Sequence, residues 1–117
     1  MRILLIDDNK SMTKALSKFL SAKGYENTVS NHGREGLKLI QEQKFDKILL
    51  DLSMPEFSGY DILDSLEKSG KIKELKIIVF TASSISDAKI KELKKKGIFS
   101  FLKKPVRADH LFKEMEA

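Results

Sequence analysis

Apolar residues recur along this chain with two alternating periods. Short apolar runs at residues 3–6, 48–50 and 77–80 are bounded by polar residues and read as buried strands. Residues 25–29 form a more polar run that suits a sheet edge, and residues 98–102 a fifth strand. Helical stripes lie between the runs. Met12, Ala15, Leu16, Phe19 and Leu20 repeat at i, i+3, i+4, i+7 and i+8, which predicts an amphipathic helix with those five turned inward. Asn9 or Ser11 can cap it, and Gly24 stops it. A second helix, at about 34–43, turns Leu37 and Ile40 inward. A third follows Gly59 with Ile62, Leu63 and Leu66 and ends near Gly70. Ser84 and Asp87 have the spacing of a capping box before a fourth, which carries Ile90 and Leu93 and stops at Gly97. Ala108, Leu111, Phe112 and Met115 mark the last helix. Strands alternating with helices predict an α/β fold: a parallel sheet covered on both faces, with right-handed crossovers.

A length of 117 residues sets one domain, over 1–117, and 41% hydrophobic content is ordinary for a folded chain. The absence of cysteine excludes disulfides and thiolate metal sites. No apolar run exceeds four residues, and no signal peptide opens the chain, so no membrane segment and a cytoplasmic location are expected. The net charge of +5 would suit nucleic acid. The lysines, however, are spread over several helices with acidic residues among them, and no aromatic stacking platform accompanies them, so no direct nucleic-acid binding is expected.

The polar residues that end the strands carry the chemistry. Asp7 and Asp8 end the first, Asp51 the third, Thr81 the fourth, and Lys104 follows the fifth. All lie at carboxyl ends, the edge where open α/β sheets hold ligands. After Asp51 the Met54-Pro55 pair disfavours helix, and Ser58 with Asp61 matches a capping box that opens the next helix. Carboxylates gathered at one edge repel unless a cation is bound, and an all-oxygen set points to Mg²⁺.

The ordered set DD, D-x-x-M-P-x-x-x-G, T-A and K-P at successive strand ends resembles the receiver domain of two-component response regulators, of the stand-alone, chemotaxis-regulator-like kind. The resemblance covers essentially the whole chain. It implies a five-stranded sheet in the order 2-1-3-4-5. It implies that Asp51 accepts a phosphoryl group from a histidine kinase or phosphotransfer protein. Mg²⁺, or Mn²⁺, would bind Asp8, Asp51 and the Ser53 carbonyl, with Asp7 acting mostly through water. Lys104 would pair with Asp51 and then with the phosphoryl oxygens. Thr81 and the Ala82 N–H would also contact that group. Phe101 matches the aromatic switch position, Ser53 and Ser83 would tune dephosphorylation, and the Lys104-Pro105 bond is expected to be cis. On this reading the chain is a phosphoacceptor rather than a turnover enzyme.

The readout implied is a move of Thr81 toward the phosphoryl group, followed by Phe101 swinging inward and a shift of the loop at 83–86. A target protein would read the face built by residues 86–116. Lys89, Lys91, Lys94, Lys95 and Arg107 on that face suit an acidic partner patch. Three other readings compete with this one. An aspartate-nucleophile phosphatase needs a second carboxylate two residues after the first, where this chain has Ser53. A flavodoxin needs a phosphate loop where Asp7 and Asp8 stand. A phosphorylation-independent binding module of the same fold would not need the intact acidic set, Thr81 and Lys104.

Overall fold

A computed structural model describes residues 1–81 and 85–117 of the chain. Five strands, β1 (Arg2–Ile6), β2 (Glu26–Ser30), β3 (Lys47–Asp51), β4 (Ile77–Thr81) and β5 (Ser100–Lys103), alternate with five helices. These are α1 (Lys10–Ala22), α2 (Gly33–Glu42), α3 (Gly59–Lys68), α4 (Asp87–Lys96) and α5 (Ala108–Glu116). All strand pairs are parallel and the order is β2-β1-β3-β4-β5, as expected. The polar run of β2 lies at an edge, where one side of its backbone can stay solvated.

Alternation along the central strands divides the core into two layers. Leu4, Ile6, Ile48 and Leu50 face Ile40 of α2, Ile62 and Leu66 of α3 and Leu93 of α4. Ile3, Leu5, Leu49, Ile78 and Phe80 face Leu20 of α1 and Leu111 and Met115 of α5. Nearly all these side chains are fully buried. Each large aliphatic one contributes about 1.5–3 kcal/mol on the transfer scale. The carboxyl ends of β1, β3 and β4 are therefore held rigidly from both sides.

Several local expectations shift. Asn9, not Ser11, caps α1 by accepting from the Met12 N–H. On that helix Ala15 and Phe19 face solvent, Phe19 being 54% exposed. Thr13 takes the buried place instead. It can do so because its hydroxyl is satisfied, donating to the Lys10 carbonyl at 3.2 Å and accepting from Asn31 at 3.1 Å. Ala108 of α5 is likewise exposed.

α4 starts after Ser86, whose hydroxyl accepts from the Lys89 N–H and leaves Asp87 in the first turn. The cap expected at Ser84 lies outside the described residues. A 3₁₀ turn at Ile72–Glu74, which buries Ile72, has no sequence counterpart in the helical stripes. β5 begins at Ser100 because Gly97, at φ +125, first redirects the chain out of α4.

Candidate functional site

Strand register builds the site. Ile6 pairs with Leu50 across β1 and β3, so the next residues, Asp7 and Asp51, leave the sheet side by side. Asp51 in turn pairs with Phe80, and Thr81 ends β4 beside it. One oxygen each from Asp7, Asp8 and Asp51 lies within 4.8 Å of the others. Asp7 and Asp51 are buried, while Asp8 is exposed at the mouth.

Contacts from Asn9, Ser53 and Lys104 hold the carboxylates among the described residues. The Asn9 N–H donates to Asp7 Oδ1 at 2.9 Å. The Ser53 N–H donates to Asp51 Oδ1 at 3.4 Å. Lys104 Nζ lies 2.6 Å from Asp7 Oδ2 and 3.7 Å from Asp51 Oδ1. The resemblance makes Asp51 the first partner of Lys104, whereas the shorter contact is to Asp7. Both carboxylates are buried, so the one ammonium is shared between them. The Lys104 backbone is fixed as well, its N–H donating to the Thr81 carbonyl at 3.0 Å. The Lys104-Pro105 bond is cis.

Burial chiefly, and then the Asp7 charge, push the Asp51 carboxyl up to about 6, with Asp8 adding a smaller push. Lys104 and the Ser53 N–H act the other way without cancelling it. Such a cluster is under-compensated by one lysine. A hard divalent cation fits the donor set, since its ligands are oxygens on two loops and its charge offsets the repulsion.

Thr81 is buried and Phe101 half-buried, on adjacent strands, with Phe101 opposite Val79 and packed against the layer that contains Leu93. Ser53 is exposed. No second carboxylate therefore stands two residues after Asp51, where the phosphatase reading needs one. Ala82 and Ser83 lie outside the described residues. Sequence reasoning gives Asn31 no role at the site, yet its amide donates to the Asp7 carbonyl at 2.7 Å. Its signal was a side-chain amide directly after a strand end, which fits a turn equally well.

A family model described as the response regulator receiver domain matches residues 3–116. The chain belongs to that family, a family of signalling domains. It is 33% identical over 115 residues to the transcriptional regulatory protein GlrR of Escherichia coli, covering 97% of this chain and 25% of that one. Among solved structures, it resembles the signal receiver domain of a Luxo repressor protein from Vibrio parahaemolyticus. The TM-score is 0.89 at 30% identity, covering 98% of this chain and 86% of that one. It also resembles the response regulator TrrA from Thermotoga maritima in complex with Mg²⁺ and BeF (TM-score 0.83, 28% identity, coverage 98% and 96%). The chain spans about half the length of the first curated relatives that it matches. Among the described residues, no helix is long and apolar enough to cross a membrane.

Proposed function

We propose that this chain is the phosphoacceptor of a two-component system and that Asp51 carries the phosphoryl group. The observation behind this reading is three acidic residues and one lysine converging at the carboxyl edge of the sheet, with Asp51 buried at their centre. An oxygen of Asp51 attacks the phosphorus of a phosphohistidine on a histidine kinase or phosphotransfer protein. The P–N bond breaks as the acyl phosphate forms, and a phosphohistidine already protonated on its other ring nitrogen releases neutral imidazole.

Asp8, Asp51 and the Ser53 carbonyl would hold Mg²⁺, with Asp7 behind them. When bound, the ion neutralises charge on the incoming phosphoryl oxygens. Lys104 sits close enough to change partners, from Asp7 toward the phosphoryl oxygens, and its mobile point charge suits that task. Thr81 ends β4 beside Asp51, where its hydroxyl can reach the same group. The partners are then a phosphohistidine protein and a target that reads the face at 86–116.

Acetyl phosphate with Mg²⁺ tests the assignment. Mass spectrometry should show one added phosphoryl group, absent without a divalent cation and absent in Asp51→Asn. Undiminished labelling of that variant would overturn it.

A further inference from the structure

The turn between β2 and α2 touches both of the loops that end in site residues. On one side, the Asn31 amide donates to the Asp7 carbonyl at 2.7 Å and to the Thr13 hydroxyl at 3.1 Å. That carbonyl belongs to the peptide linking Asp7 to Asp8, so the bond fixes the backbone between two carboxylates. On the other side, Gly33 meets Phe57, four residues after Ser53 on the β3–α3 loop. A Cβ on Gly33 would fall 1.9 Å from the Phe57 carbonyl oxygen, so no larger residue could let the segments approach this closely. The Arg34 guanidinium then covers the Phe57 ring, 4.7 Å from its centre.

The β3–α3 loop needs such support. Glu56 is held at φ +67, the positive-φ non-glycine position among the described residues, and the Phe57 N–H closes a tight turn onto the Pro55 carbonyl at 2.7 Å. A non-glycine residue stays in that region where its surroundings over-determine it. Phe57 is the next residue, and Gly33 and Arg34 grip it. α2 has no side-chain cap at His32, so this contact also seats the start of the helix.

We infer that Asn31 and Arg34 are positioning residues for the cation site, bracing the Asp7–Asp8 backbone and the Ser53 loop at a fixed separation. The inference rests on the reading of Asp8, Asp51 and the Ser53 carbonyl as the Mg²⁺ ligands. Ligands on two loops bind a small, geometrically demanding ion well only if the loops are already spaced for it. Arg34 is exposed and lies over the Phe57 ring, and Asn31 holds the Asp7 backbone carbonyl, so both act through the loops they hold.

Mg²⁺ titrations of the whole chain, followed by amide NMR, test this beside thermal midpoints taken without metal. Arg34→Ala should weaken Mg²⁺ binding about threefold, the scale of a lost surface cation–π contact. Asn31→Ala should weaken it about tenfold, the lower end for a lost supporting contact at a metal site. Arg34→Lys keeps a cation over Phe57 and should stay within about twofold of wild type. Saturating Mg²⁺ should restore the acetyl phosphate labelling rate in both alanine variants. Unchanged Mg²⁺ affinity in both, even with lowered thermal midpoints, would overturn the inference, and so would Arg34→Lys binding as weakly as Arg34→Ala. Wild type that binds no Mg²⁺ would instead overturn the ligand reading beneath it.

Discussion

Asp51 is a carboxylate whose charge the fold disfavours. Its carboxyl sits at about 6 against an ordinary 3.8, first through burial and then through Asp7. A raised acid binds its proton more tightly folded than unfolded. Below pH ~3.8 both states are protonated, and this group costs nothing. Between ~3.8 and ~6 the folded state holds the extra proton, so stability falls as pH rises, and above ~6 the full cost remains. Asp51→Asn removes the charge at nearly constant shape. In EDTA at pH 8, that variant should therefore be more stable than wild type by about 1–2 kcal/mol, with the gap closing toward pH 4. Mg²⁺ should narrow the gap by stabilising wild type. Urea unfolding of both proteins across that range measures it. A gap absent at pH 8 would show that Lys104 already compensates the cluster.

At the level of elements, the loop between β3 and α3 is defined as much by what is missing as by what is present. Gly59 donates its N–H to the Leu52 carbonyl at 3.1 Å, and a Cβ there would fall 2.2 Å from the Asp51 carbonyl and 2.8 Å from Leu52 Cα. Those obstacles are backbone and cannot rotate away. Gly59→Ala should cost about 1–3 kcal/mol of stability by overpacking and should slow Asp51 labelling, because relief displaces the Asp51 backbone. Denaturant midpoints together with labelling rates check both. If stability falls while labelling keeps its rate, the loop absorbs the change away from Asp51.

The capping box at Ser58 and Asp61 was legible from spacing alone, and both of its hydrogen bonds form. The stripe on α1 was legible as a helix but not as a burial pattern. Periodicity marks a broad apolar face, while the sheet covers only part of it: Phe19 is left exposed, and Thr13, whose hydroxyl has two partners, is buried. Lys47, the first residue of β3, is a lysine to which periodicity assigns no buried place. It is instead 3% exposed, its ammonium donating to the Glu114 carbonyl near the end of α5 and lying over Phe99. Neither partner is near it in sequence, so no local pattern could announce the burial. The strand-end residues were legible because topology carries them all to one edge. The supports on Asn31, Gly33 and Phe57 were not, because they depend on how loops from different strands meet.

For the whole molecule, the proposed function requires that a phosphoryl group on Asp51 would alter a distant surface. The group brings charge and strong acceptor oxygens to one point. An element with two arrangements must convert that into shape. Thr81 and Phe101 suit the role, since Thr81 is buried next to Asp51 while Phe101, half-buried opposite Val79 on the neighbouring strand, packs toward α4. A half-buried aromatic can turn inward if the Thr81 hydroxyl moves toward the phosphoryl oxygens and vacates space. The surface affected carries exposed Lys91, Lys94 and Lys95. By contrast, Lys89 leans over Tyr60 and pairs with Glu92, and Arg107 pairs with Asp109. An acidic partner would therefore engage the outer turn of α4 first. Beryllofluoride with Mg²⁺, which stands in for the phosphoryl group, should shift amide resonances at Asp51 and also at Phe101 and along α4 in wild type. In Thr81→Ala the shifts should remain around Asp51 and fade at Phe101 and α4, since binding persists while its mechanical link is cut. Wild-type shifts confined to the Asp51 pocket would make Phe101 a fixed core residue and defeat this route, even with Asp51 phosphorylated.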